Sequence, residues 1–365
     1  MAGEDVNRRV SAEEEIIGVS PGEEFKLLPT IKIIGVGGAG SNMADWLYKM
    51  NIKGAEVIAA NTDYAHLKMV KAHKKILLGK DVTRGLGAGG LPAKGTEAAR
   101  ASQGDLRKLL EGADMVWILL GLGGGTGTGG APVVAQIAKE AGVPLVVAVA
   151  TLPFVSEGVV RREKAEEGLM QLRKYADNII LIDNNKILQY AGNLPLQQAF
   201  GYANNLIGQM IKGLVETFDK ASYINLDFAD VKTVLGVGGA SIVGIGVADG
   251  ENRAVEAAKR ALELPLLDVE YNGAAGALVH VEGGQDLSLE EVNKAVEYIR
   301  KHLGDDALTI MGARINEEMK GRVKVTVIVS GVKSPYILSK WKEEWDAGRL
   351  GTVSRDVNLG IDVIK

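Results

Sequence analysis

The sequence predicts an α/β protein in two parts: a parallel-sheet domain and a smaller α/β domain, joined by one long helix. Three observations carry this expectation. From Ile31 to Asp183 short apolar runs alternate with segments of helical period, the pattern of parallel strands covered by helices on both faces. Residues 196 to 218 then keep apolar side chains at three- and four-residue intervals, as one long amphipathic helix does. A second set of strand-like and helix-like segments follows, in a chain whose 365 residues exceed one ordinary core.

Taken in order, residues 1 to 28 are acidic, with Glu13, Glu14 and Glu15 in a row and a break at Pro21 and Gly22, and read as an N-terminal extension. In residues 29 to 195 the strand candidates are IKIIGV, AEVIAAN, MVWILLGL, PLVVAVA and NIILID. The first runs into GVGGAGSN, ahead of a helix expected to begin near Met43. MVWILLGL runs into GGGTGTGG and the helix APVVAQIAKE, where Pro132 is expected in the first turn because a missing N–H does no harm there. The connecting helix, residues 196 to 220, aligns Leu196, Phe200, Ala203, Ile207, Met210, Leu214 and Phe218. Residues 221 to 332 hold the strand candidates GALVHV, ALTIMGARI and KVTVIV, with helices at 251 to 263 and from about 289. Ser288 and Glu291 have capping-box spacing and mark the start of the last helix. Residues 333 to 365 form a mixed tail.

Composition narrows the function classes. Acidic and basic residues nearly balance, 46 against 42, and no dense basic stripe with interleaved aromatics occurs, so a nucleic-acid partner is not expected. There is no cysteine, and the four histidines lack ligand spacing, so no structural metal is expected. Without a signal pattern or an apolar stretch of about 18 residues, the protein is expected to be cytoplasmic, with no direct membrane insertion.

The chemistry lies in the glycine clusters. Gly35, Gly37 and Gly40 satisfy GxGxxG, and Asp63 follows 23 residues after Gly40, the pattern of a dinucleotide-binding unit. Alone, that match is weak, and a tight structural turn satisfies it as well. The run Gly123 to Gly130 is more specific. Closely spaced glycines let backbone N–H groups approach phosphate oxygens, Thr126 and Thr128 add hydroxyl donors, and a helix N-terminus adds partial positive charge. No Gly-Lys-Ser/Thr follows, so phosphate charge must be met by amides, a metal ion and a distant arginine. A further motif is NLDFAD, with Asn225, Asp227 and Asp230; its plainest reading is that one aspartate caps a helix begun by VKTVL.

GGGTGTG at the end of a strand resembles the tubulin signature, and the neighbouring segments are similar to the FtsZ family from about Ile31 to Val332. The resemblance implies the tubulin/FtsZ fold, and a GTPase that assembles head to tail into filaments at the division site. It implies GTP or GDP as ligand, with magnesium held mainly by the nucleotide phosphates. It places Gly37, Gly38, Ala39, Gly40, Ser41 and Asn42 in the leading phosphate loop, and Asn61 and Asp63 in the second loop. Gly87, Ala88, Gly89 and Gly90 fall in the loop that senses the γ-phosphate, and Gly123, Gly124, Gly125, Thr126, Gly127, Thr128 and Gly129 form the cradle.

In LPFVSEGVVR the resemblance sets the ribose-contacting acid on Glu157 and its arginine on Arg161; alone, these two read as an exposed i,i+4 ion pair. Base recognition falls on Asn184, Phe200 and position 205, where Asn205 replaces the family's acid. A carboxylate accepts from both N1–H and the amino group of guanine, whereas an amide offers one acceptor and a donor, so weaker guanine selectivity is expected.

Asn225, Asp227 and Asp230 are implied to complete the hydrolytic site of the adjoining subunit. Twenty positions, mostly helical, separate Asn205 from Asn225. That is roughly 30 Å, too far for both to meet one nucleotide within a chain. A contact between unlike ends of identical subunits builds a filament. The tail has no long Pro/Gln-rich linker, as in archaeal members, and its Leu359, Ile361, Val363 and Ile364 are expected either to bind a membrane-anchoring partner or to pack on the body. Two other functions fit parts of the pattern: an NAD(P)-dependent oxidoreductase, on GxGxxG and Asp63, and a filament scaffold that binds nucleotide without hydrolysing it.

Overall fold

The computed structural model describes residues 28–332, except 192, 220–223, 225, 238–239, 264–268 and 305. The N-terminal extension up to residue 27, the tail with its four apolar residues, and Asn225 therefore lie outside the described residues.

Six strands, β1 Ile31–Val36, β2 Ala55–Asn61, β3 Lys74–Leu77, β4 Met115–Gly121, β5 Leu145–Leu152 and β6 Asn178–Asp183, pair in parallel in the order β3-β2-β1-β4-β5-β6. β4 and β5 are buried along nearly their whole length, which is why they read as unbroken apolar runs. Four more strands follow: β7 Ala240–Asp249, β8 Gly276–Gly283, β9 Leu308–Ile315 and β10 Arg322–Ser330. β10 pairs antiparallel with β7 and β8, while β8 and β9 are parallel. A short parallel pairing of Ile179 and Ile180 with Ala240 and Ser241 joins β6 to β7, so the two sets of strands form one continuous sheet among the described residues.

β3 and β7 are not apparent from the sequence. β3 is four residues that open on two exposed lysines, and β7 is interrupted by Gly244 and Gly246. Those glycines have a packing cause: a Cβ on Gly244 would stand 1.8 Å from the Ala261 carbonyl oxygen, and one on Gly246 2.0 Å from that of Ala257. Helix Arg253–Glu263 thus lies directly on the strand backbone.

Two helix starts correct the sequence reading. The helix after β1 spans Gly37–Lys49, beginning well before Met43. The helix after β4 spans Thr126–Glu140, so Pro132 is inside it rather than in its first turn. In both cases the glycine-rich loop itself coils as the first turns. Glycine's poor helix propensity is overridden because only a bare backbone fits: a Cβ on Gly40 would be 2.2 Å from the Leu119 carbonyl oxygen, and one on Gly129 1.9 Å from that of Pro92. Pro132 has no N–H to return to the Thr128 carbonyl.

The connecting helix is Leu196–Asp219, 24 residues long, and it buries Ile207, Met210, Ile211, Leu214 and Val215 in a core shared with Ile33, Trp117 and Val147. It runs alongside helix Gly37–Lys49 in the same direction, Gly201 lying against Trp46 and Gly208 against Met50. Lys212 Nζ donates to the Met50 carbonyl at 3.2 Å. The last helix begins as its capping box predicts: Leu289–Leu303, with Glu291 N donating to Ser288 Oγ at 3.2 Å and Ser288 N to Glu291 Oε2 at 2.9 Å. Among the described residues no helix is long and apolar enough to cross a membrane.

Candidate functional site

The winding of the parallel sheet reverses between β1 and β4, and in such sheets ligands bind in the crevice beyond the carboxyl ends of the strands at that point. The two glycine-rich loops follow these two strands. Gly37 has φ +76, and a Cβ there would lie 2.7 Å from the Gly127 nitrogen, so the loops touch backbone to backbone. Gly125 meets the third loop, its Cβ position 2.8 Å from that of Ala88. Gly87 N donates to the Thr62 carbonyl at 3.1 Å, drawing that loop to the end of β2 beside Asn61 and Asp63. Gly123, at φ +90, lies against the Arg161 backbone, with its Cβ position 2.7 Å from the Arg161 carbonyl oxygen. Five segments distant in sequence thus converge on one rim.

The cradle fits an anionic ligand. Nothing stands within 4 Å of the Cβ positions of Gly38, Gly89, Gly90 and Gly124. Backbone can therefore be approached closely there. Ser41 Oγ and Thr128 Oγ1 are buried in the two loops without a hydrogen-bond partner, a costly state that a ligand or water would relieve. The hydroxyls differ from expectation in one respect. Thr126 Oγ1 lies 2.6 Å from Thr62 Oγ1, in a buried bond between the cradle and the second loop, and the Thr128 methyl packs against Gly168. Thr126 is thus committed, while the first amides of the two helices have no partner within their helix.

Around the rim, Arg161 and Glu157 form an ion pair at 2.6 Å, and Glu157 Oε1 also accepts from Phe154 N at 2.8 Å, which braces the turn. Asn184 is half-buried and opens helix Asn184–Ala191 at the carboxyl end of β6. Its neighbour Asn185 ties the two loops together, accepting from Val155 N at 3.0 Å while donating to Asp183. Phe200 and the half-buried Asn205 fall on the first turns of helix Leu196–Asp219.

Three contributors escaped sequence reading. Thr62 holds Thr126; Lys164 Nζ donates to the Gly90 carbonyl at 2.8 Å; and His66 bonds to both Asn42 and Asn61. Only His66 left a local signal, since its N–H donates to Asp63 Oδ1 at 3.0 Å in the spacing of an N-cap. The other two contacts span 64 and 74 residues.

The aspartates of NLDFAD are elsewhere. Asp227 occupies the N-cap position of helix Phe228–Gly236, but its side chain makes no capping bond, and it is exposed. Asp230 is half-buried in the first turn. The segment is anchored on β9: Ile224 bridges Ala313, and Leu226 is buried against Gly312. Helix Gly37–Lys49 runs from the cradle to Met50, a span of about 20 Å at the α-helical rise, and Lys212 already lies at that far end. The acidic segment follows beyond it.

A 3-2-1-4-5-6 parallel sheet with glycine-rich loops after β1 and β4, continued through a long helix into a second, mixed set of strands, defines a tubulin-like nucleotide-binding protein. Comparison with known proteins agrees: the model described as "Tubulin/FtsZ family, GTPase domain" matches residues 30–192, and that described as "FtsZ family, C-terminal domain" matches residues 239–333. "Cell division protein FtsZ 1" of Archaeoglobus fulgidus is 49% identical, over 90% of this chain and 88% of its own length. The protein of the same name in Pyrococcus furiosus is 46% identical, over 92% of each chain. The solved "FtsZ dimer, empty" of M. jannaschii superposes with a TM-score of 0.78 at 47% identity, covering 82% of this chain and 88% of that one. The chain belongs to the FtsZ family of GTPases. The oxidoreductase reading of GxGxxG gives way, since it accounts for neither GGGTGTGG nor the second domain.

Proposed function

We propose that this protein binds GTP in the cradle, assembles head to tail into filaments, and hydrolyses the nucleotide between subunits during cell division. The observation that carries the proposal is the separation of two half-sites, glycine-rich loops at one end of the central helix and Asp227 and Asp230 beyond the other. In this reading residues 29–195 are the GTP-binding domain, 196–220 the connecting helix, and 221–332 the domain that presents the acidic loop.

The loops 37–42, 87–90 and 123–129 surround the phosphates, with the unpaired amides at the two helix N-termini as donors and Asn61 and Asp63 beside them. Glu157 and Arg161 hold the ribose, and Asn184, Phe200 and Asn205 face the base. A magnesium ion, which the family resemblance implies, would be held mainly by the nucleotide phosphates and would neutralise their charge. Asp227 and Asp230 of the next subunit, with Asn225, orient the water that attacks the γ-phosphorus as the bond to the β-phosphate oxygen breaks. The family relationship, to proteins named for cell division, supports a cytoplasmic role at the division site. Leu359, Ile361, Val363 and Ile364 of the tail serve a membrane-anchoring partner, with packing on the body as the alternative.

Two inactive variants test the division of labour. Asp230→Ala should bind GTP and assemble without releasing phosphate, and Thr126→Arg should bind none. Mixed together, they form one productive junction, and phosphate release should exceed the sum of the separate samples. No recovery in a mixture crosslinked at that junction would refute hydrolysis between subunits.

A further inference from the structure

We propose that His66 is a positioning residue of the nucleotide site: as its Nε2–H tautomer, it sets the direction in which the Asn42 amide faces the ligand. The inference rests on the reading of the cradle as a GTP site. Its argument begins at Asn61, which is buried at the end of β2. Asn61 Oδ1 accepts from Thr62 N at 2.8 Å and from Asp63 N at 3.3 Å, and these backbone donors fix which end of the amide is oxygen. The amide nitrogen therefore faces His66, with Asn61 Nδ2 3.1 Å from His66 Nδ1. An amide NH2 can only donate, so Nδ1 is the acceptor and carries no proton.

The ring proton then sits on Nε2, 3.0 Å from Asn42 Oδ1, which accepts it. Asn42 is consequently held with its oxygen toward the imidazole and its NH2 turned away, at an exposed position of the leading phosphate loop. It offers a ligand donors instead of an acceptor. Phosphate and carbonyl oxygens of a nucleotide can only accept, and a flipped Asn42 would oppose them with its own lone pairs. His66 can hold this direction because its own backbone is anchored: its N–H donates to Asp63 Oδ1 at 3.0 Å. One imidazole thereby links helix Gly37–Lys49, the end of β2 and helix Tyr64–Met69.

Titration calorimetry with GDP on the full-length protein tests the assignment, because GDP reads affinity without assembly. His66→Ala should weaken GDP binding by about tenfold, the scale of one oriented hydrogen bond, with little change in melting temperature. His66→Gln, whose amide nitrogen can stand where Nε2 stood and donate to Asn42, should recover most of the affinity. His66→Asn replaces only the Nδ1 acceptor and should not. In an Asn42→Ala background, His66→Ala should add no further loss. Wild-type affinity in His66→Ala, or equal rescue by Gln and Asn, would overturn the positioning role; a wild-type protein that binds no GDP would overturn the site reading beneath it.

Discussion

The side-chain hydroxyls of Thr62 and Thr126 lie 2.6 Å apart and out of solvent, so the end of β2 is bolted to the first residue of helix Thr126–Glu140. This contact sets the second loop against the cradle from a distance of 64 residues in sequence. Thr62→Val keeps the shape but leaves the Thr126 hydroxyl unpaired. A loss of about 1–2 kcal/mol in unfolding free energy is expected, accompanied by weaker nucleotide binding. Denaturant melts and GDP titration on the same variant would check both.

Gly124 and Gly129 stand five residues apart but should fail in opposite ways. Nothing lies within 4 Å of a Cβ on Gly124, so Gly124→Ala should melt like the wild type while its methyl occupies ligand space and weakens GTP binding. A Cβ on Gly129 would be 1.9 Å from the Pro92 carbonyl oxygen, and Gly129→Ala should cost about 1–3 kcal/mol of stability. Parallel melting curves and GTP titrations distinguish a ligand-facing glycine from a packing one.

At position 205, Asn205→Asp should sharpen the preference for GTP over ATP, on the order of tenfold, because a carboxylate can accept two guanine donors where the amide accepts at one oxygen. Competition titrations with both nucleotides measure it. Unchanged selectivity would mean that Asn205 does not face the base.

His280 on β8 is buried with both ring nitrogens unpaired. Burial pushes its imidazole pKa down to about 4; Glu282 opposes this, and Lys324 and Arg314 add to it. A folded-state pKa below the unfolded value of 6.5 means that the unfolded chain takes up the proton first as pH falls. The contribution to stability is therefore full above pH 6.5 and declines as pH falls toward about 4. The decline amounts to about 3 kcal/mol, and His280→Leu should remove it. On acidification from neutral pH toward that lower limit, the melting temperature of the wild type should fall further than that of His280→Leu, so the difference shifts in favour of the variant.

The sequence by itself determined the α/β class, eight of the ten strands among the described residues, the central helix and the glycine-rich loops, because each is written in contiguous residues with a period or a spacing. Helix rise also set the NLDFAD segment roughly 30 Å from Asn205, the position that the family resemblance gives to the base. Tertiary structure decided the rest. β7 forms despite its glycines because Ala257 and Ala261 lie on its backbone, and the helices after β1 and β4 begin early because Leu119 and Pro92 leave room only for glycine. Thr62, His66 and Lys164 entered the site through bonds to Thr126, Asn42 and the Gly90 carbonyl. Such bonds are set by how the loops converge at the β1–β4 crevice, and no local period or spacing in the chain encodes that convergence.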